Sequence, residues 1–217
     1  LRVPVAPLKT DTSQSAPHPG PPPRGGGGGR QRYHKAHLLP FAESPPRFLE
    51  WLGLGAAIPG LPNFGRGPGT RLLPIERSPS DYVRIAPILC SESLVVDHVA
   101  SAARLGADLL VNIGSDGWFG NHGEPELHLA LASFRSVETG LPQVRAANTG
   151  LSALILSSGA VLGQTRFGER LRVEFAVPLA EPTPTLVVRW GDWFETFALG
   201  ISILGAFVLR AVGARSA

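Results

Sequence analysis

The most regular alternation of apolar and polar positions lies between residues 83 and 177. Val83 to Leu89 is apolar except for Arg84 and stops at Cys90, a short run of the kind made by a buried strand. Leu94 to Leu105 has its apolar residues at helical spacing, and Gly106 stands where a helix-ending glycine belongs. Leu109, Leu110 and Val111 then predict a second buried strand over 108–112, so the order is strand, helix, strand. Leu127, Ala130, Leu131, Phe134 and Val137 recur at i, i+3, i+4, i+7 and predict an amphipathic helix with that stripe toward the core, ended by Gly140 and Pro142. Residues 143–147, 152–156 and 161–164 predict further strands, the last two joined by Ser157-Ser158-Gly159. Strict alternation over 170–177 sets Leu171, Val173, Phe175 and Val177 on one face and predicts a half-buried strand.

The two ends break this pattern in opposite ways. Residues 1–32 carry the runs Pro21 to Pro23 and Gly25 to Gly29 and no aromatic side chain, too little apolar surface to offset the entropy of ordering, and an irregular segment is expected. A short helix fits residues 47–55, before a Gly/Pro-rich loop. Thr196 to Leu209 carries no charge, with Trp190 and Trp193 before it and Arg210 and Arg215 after it. The uncharged run alone falls short of the roughly 20 residues a bilayer core needs, whereas Trp193 to Ala214 reaches spanning length. A core or amphipathic helix is the other reading. The Trp-apolar-Arg order predicts a membrane helix over 190–212 with a cytoplasmic tail at 213–217.

Composition narrows the function classes. The net charge is +3, but the basic residues stand singly and no nucleic-acid motif with interleaved aromatics occurs, which sets nucleic acid aside and leaves a membrane-facing surface. One cysteine excludes an internal disulfide and any zinc site needing two thiolates from this chain. His34 and His37 lack a third ligand cluster, so no metal and no cofactor are expected. Without a charged-then-apolar leader or any methionine, the start reads as a truncation.

Cys90 is the residue with the most chemical promise. A lone cysteine at the end of an apolar strand is either a core residue or a nucleophile whose orientation is set before reaction. Glu92 lies two residues on, and YHKAHLLPFAE upstream offers Lys35 and Glu43. A thiol needs a base or a nearby cation to become thiolate, and acyl transfer needs positive charge or donors at the oxyanion. Taken singly, Lys35, Glu43 and Glu92 also read as surface charges or as a helix-start carboxylate. No G-x-S-x-G elbow supports a serine nucleophile at Ser91 or Ser93.

YHKAHLLPFAE, ILCSE, GADLLVNIGSDGWFG, HLALASFRSVETGLPQVRAANTG and RWGDW before an apolar helix, in that order, resemble the apolipoprotein N-acyltransferases of the nitrilase superfamily. The resemblance covers nearly everything after residue 32. It implies an α/β fold, a nitrilase-like αββα sandwich incomplete at the N-terminus, with a partial catalytic domain at 33–189 and a C-terminal transmembrane helix. It also implies a Glu-Lys-Cys triad on the periplasmic side of a bacterial inner membrane. Cys90 matches the nucleophile and Lys35 the triad lysine; Glu43 and Glu92 match acidic residues around the site. Trp118 and Phe119 match the loop at the acyl-chain entrance. The implied partners are a phospholipid acyl donor, an apolipoprotein acceptor and the membrane. Three differences stand beside the match. Residues 1–32 contain no glutamate to match the triad base, the family's N-terminal membrane helices and the first part of its sandwich have no counterpart in this sequence, and Ser91 and Ala42 replace a common aromatic residue and a common glycine. The isolated chain is therefore expected to turn over poorly. A soluble nitrilase-like amidase and an inactive membrane-anchored fragment are the alternatives.

Overall fold

The computed structural model describes residues 31–54, 60, 62–78, 81–120, 122–179 and 184–213. The Pro/Gly-rich segment expected to be irregular lies almost wholly outside the described residues.

The elements follow the apolar pattern closely through the middle of the chain. They are α1 (Arg47–Trp51), β1 (Leu73–Ser78), β2 (Asp81–Leu89), α2 (Val96–Arg104), β3 (Leu109–Ser115), α3 (Glu124–Thr139), β4 (Gln143–Asn148), β5 (Ala153–Ile155), β6 (Val161–Leu162), α4 (Leu186–Trp190) and α5 (Trp193–Gly213). One sheet runs in chain order from β1 to β6. Its centre, β2-β3-β4, is parallel, with Ile88 beside Asn112 and Ile113 beside Ala146, and β1, β5 and β6 add antiparallel edges. The crossovers between successive parallel strands carry α2 and α3, which pack together, as the right-handed rule for such connections expects of neighbours on one face.

Two apolar clusters seat that layer. Ala86, Ile88, Val99, Ala102, Ala107, Leu110 and Leu141 join β2 and β3 to α2. Leu129, Ala132, Leu151, Ala153 and Ile155 join α3 to β5. Each fully buried Ile or Leu among them contributes about 1.5–3 kcal/mol by leaving water. Asp108, just before β3, pins its strand to β2 by accepting the Arg84 backbone N–H at 2.7 Å and pairing with the Arg84 guanidinium at 2.8 Å. Gly140, at φ 69, ends α3 in the left-handed conformation that a side chain disfavours.

Three expectations are corrected. The stripe predicted to face the core from α3 faces outward: Leu127, Phe134 and Val137 are exposed, while His128, Leu129, Ala132, Arg135 and Ser136 are buried. The helix turns its polar residues inward because His128 finds a carboxylate partner there, at Asp116. Residues 170–177 form no strand of the sheet; burial alternates only from Arg172 to Val177, Leu171 is exposed, and the Phe175 ring packs against Gly163. The membrane helix expected over 190–212 starts later, since α4 stops at Trp190 and α5 runs unbroken over Trp193–Gly213 after Gly191 and Asp192. Among the described residues no helix is long and apolar enough to cross a membrane. Of the four layers of an αββα sandwich, the described residues form one sheet and one helical layer.

Candidate active site

β2 delivers Cys90 to the carboxyl edge of the parallel strands. The cysteine is half-buried and opens a 3-10 turn, Cys90–Leu94, with φ at 51, a left-handed value that costs a non-glycine residue about 1–3 kcal/mol unless its surroundings enforce it. Gly114 on β3 lies directly beneath: a β-carbon there would stand 3.3 Å from the Cys90 Cα. A side chain at Gly114 would press on the elbow, which would have to give by a few tenths of an ångström to admit it.

Glu92 connects this elbow to the lysine segment. Its carboxylate is 0% exposed and accepts four hydrogen bonds: from the Tyr33 hydroxyl at 2.8 Å, the Leu89 amide at 2.8 Å, the Ala36 amide at 2.6 Å and the His37 amide at 3.2 Å. One group thus ties the residue before Cys90 to the residue after Lys35. A buried carboxylate is tolerated when donors fill its lone pairs, and Glu92 meets that condition. Such a saturated group positions its neighbours and has no oxygen left for substrate. Burial and the neighbouring Glu92 charge push the Tyr33 phenol above its ordinary range, which keeps its proton in the bond to Glu92. His98 backs the tyrosine, with Nε2 3.0 Å from the Tyr33 oxygen and Nδ1 3.0 Å from the Thr70 hydroxyl. Burial holds its pKa below the ordinary value; Glu92 opposes that shift and His37 adds to it.

Lys35 is anchored separately. Its Nζ stands 2.6 Å from Glu43 Oε2, which also accepts the Leu39 amide at 2.7 Å. Burial works to raise the Glu43 pKa, but the Leu39 amide, the Lys35 hydrogen bond and the Lys35 charge outweigh it and the net shift is downward. Glu43 is thereby held as a carboxylate partner for the lysine. Gly67 supports the same segment by donating its N–H to the Lys35 carbonyl at 2.7 Å, and a side chain at Gly67 would collide with the His34 carbonyl.

Trp118 and Phe119 sit in the turn after β3, on the same edge as Cys90, and both are exposed. The Trp118 indole donates to the Ser115 carbonyl at 3.2 Å, which leaves most of its ring in the open. Among the described residues no group of three or more His, Cys, Asp or Glu side chains could hold a metal ion.

Sequence reasoning missed a polar assembly behind the elbow. Arg145 on β4, fully buried, donates to Asp116 Oδ2 at 2.9 Å, to the Leu151 carbonyl at 3.2 Å and to Asn112 Oδ1. Asn112 in turn donates to the Ile88 carbonyl at 3.1 Å, and Asp116 lies 2.9 Å from His128 Nδ1. The available signal was an asparagine and an arginine standing inside otherwise apolar strand runs, where an unpaired polar group would be costly. Thr149, at φ 66, and Gly150 complete the wall, and a β-carbon on Gly150 would fall 2.0 Å from Asp116 Oδ2.

The profile of the carbon-nitrogen hydrolase family matches residues 24–181. A Bdellovibrio bacteriovorus protein named apolipoprotein N-acyltransferase is 35% identical over 186 residues, covering 85% of this chain and 34% of the relative. One of the same name from Sinorhizobium medicae is 34% identical over 175 residues, covering 80% of this chain and 32% of the relative. The chain thus spans about a third of the length of the curated relatives it matches. Among solved structures, an amidase from Nesterenkonia sp. AN1 is 19% identical with a TM-score of 0.42, covering 63% of this chain and 46% of its own. A carbon-nitrogen hydrolase from Helicobacter pylori is 16% identical with a TM-score of 0.42, covering 52% of this chain and 46% of its own.

Proposed function

This chain belongs to the carbon-nitrogen hydrolase family, and from that premise we propose that it is the cysteine-bearing part of an apolipoprotein N-acyltransferase. The observation that carries the reading is the Glu92 clip. It joins the backbone on either side of a cysteine nucleophile and a lysine, Leu89 to Ala36, so that thiol and cation belong to one rigid unit. The naming of relatives at 34–35% identity supports the choice of reaction within the family.

In this reading the Cys90 thiolate attacks the ester carbonyl of a phospholipid. A carbon-sulfur bond forms, the ester carbon-oxygen bond breaks, and the lysophospholipid leaves as an alcohol after taking a proton. The Lys35 ammonium, fixed by Glu43, offers positive charge to the oxyanion of the tetrahedral intermediate. The α-amino group of a lipoprotein's terminal diacylglyceryl-cysteine then attacks the thioester. A carbon-nitrogen bond forms, the carbon-sulfur bond breaks, and the thiol is restored. Glu92 holds the geometry, and Trp118 and Phe119 stand at the open edge, where an acyl chain would enter.

The same reading places the domain at the periplasmic face of a bacterial inner membrane. What supports it is α5, which leaves Phe194, Phe197, Leu199, Ile201, Leu204 and Phe207 exposed, an apolar surface that lipid would cover. Phe41, Phe48, Trp51 and Phe64 expose further apolar surface near the lysine segment.

The test is intact-protein mass spectrometry after incubation with phospholipid vesicles, comparing the wild-type chain, Cys90→Ala and Lys35→Ala. An acyl adduct confined to Cys90 and reduced in Lys35→Ala is expected. An adduct of equal yield on Cys90→Ala would overturn the nucleophile, and hydrolysis of small amides without any acyl adduct would replace the transferase with an amidase.

A further inference from the structure

Ser93 lies three residues beyond the thiol and faces inward. Its hydroxyl donates to the Cys90 carbonyl at 3.0 Å and stands 3.2 Å from His128 Nε2, while His128 Nδ1 stands 2.9 Å from Asp116 Oδ1. We propose that Ser93, His128 and Asp116 form a buried positioning relay that holds Cys90 in its left-handed elbow and so presents the thiol to substrate.

Residue types and order match a serine nucleophile with its base and orienting carboxylate, but burial rules that use out. Ser93 is 1% exposed, and its hydroxyl is spent on the backbone of the chain itself. No substrate carbonyl can reach it. What the relay does reach is the one backbone group whose direction defines the elbow.

A residue with positive φ and a side chain persists only where its surroundings over-determine it. Upstream, the Leu89 amide is fixed by Glu92. Downstream, the Cys90 carbonyl is fixed by Ser93, and the relay continues from there back to the same strand. Asp116 takes Arg145, Arg145 takes Asn112, and Asn112 donates to the Ile88 carbonyl. The bonded circuit therefore leaves β2 two residues before the thiol and returns at the thiol's own carbonyl. Ser93, His128, Asp116, Arg145 and Asn112 are all buried, so water cannot substitute for a missing member. With the Ser93 proton on the Cys90 carbonyl, His128 donates its one N–H from Nε2 and its Nδ1 accepts from the Arg145 guanidinium at 3.1 Å, so Asp116 steadies the ring through Arg145 and the imidazole is part of the grip.

The inference rests on Cys90 as the reacting thiol, yet its test needs no acyl donor. Alkylation of Cys90 by iodoacetamide is followed by peptide mass spectrometry in the intact chain, with circular dichroism to verify the fold. Ser93→Ala and His128→Ala are each expected to slow alkylation about tenfold, the scale of a small misplacement of a reacting group. The double variant should be no slower than either single one, because both break the same connection. His128→Gln, whose amide nitrogen can replace Nε2 toward Ser93, should recover most of the rate, whereas loss of packing alone would not be repaired by that choice. Should His128→Ala fail to fold, Ser93→Ala decides. Wild-type alkylation in a folded Ser93→Ala, or losses that multiply in the double variant, would overturn the relay. A folded Ser93→Ala that alkylates slowly, in a protein whose Cys90 accepts no acyl group, would support the relay while removing the acyltransferase.

Discussion

The Ala36 amide donates to Glu92 Oε1 at 2.6 Å across 56 residues of sequence. Because Lys35 precedes Ala36 and Cys90 stands two residues before Glu92, this bond sets the lysine segment beside the elbow. The Leu89 and Tyr33 bonds to the other carboxylate oxygen complete the clip from both sides. The arrangement gives a buried acid a clear purpose, since ordering two loops by one group needs an acceptor with several lone pairs and no proton of its own.

Glu92→Gln should therefore be damaging despite its near-identical shape. One oxygen becomes an NH₂ that faces amide or hydroxyl donors, and a buried donor left without a partner costs about 1–3 kcal/mol. The urea midpoint should fall by a corresponding amount, and Cys90 labelling should lose its native rate. An unchanged midpoint would show that the clip contributes nothing.

Acid should weaken the fold in two stages. Burial holds both His98 and His128 below the ordinary histidine value of 6.5, the latter with help from the Arg145 charge and against Asp116. The unfolded chain then binds more protons than the folded one just below that pH, so the stability these residues confer is complete above about pH 6.5 and is lost as pH falls through their lowered pKa values. Glu43 adds a second loss below its ordinary value of 4.5, as pH falls through its depressed pKa and the carboxylate partner of Lys35 is protonated. Urea titrations between pH 8 and pH 4 should show a decline beginning near pH 6.5, and a double His98→Gln and His128→Gln variant should flatten that first stage.

Gly150→Ala is expected to be among the more harmful glycine substitutions in the chain. Its new methyl would lie 2.0 Å from Asp116 Oδ2, inside a fully buried ion pair with Arg145 that cannot shift without breaking other bonds. Overpacking of this kind costs about 1–3 kcal/mol. Gly123→Ala is a useful comparison, since nothing lies within 4 Å of its β-carbon position although its φ of 96 makes it strained as well. Thermal unfolding should show the larger loss for Gly150→Ala.

Periodicity along the chain determined the alternation of β2, α2, β3, α3 and β4 and set Cys90 at the end of a strand, because those features depend on neighbours within a few residues. The lysine segment and the cysteine were also legible as a pair through their motifs. Which face of α3 turned inward was settled only in three dimensions: the apolar stripe of Leu127, Phe134 and Val137 lost to a face bearing His128 and Arg135. Hydrophobic spacing gives no weight to a polar side chain that will find partners, and the partners of His128 come from the loop after β3, from β4 and from the turn at Ser93. The same reason hid the role of Glu92. Its donors lie 3, 55, 56 and 59 residues away, so only the folded chain could turn an acidic residue beside a thiol into the clip that holds the site.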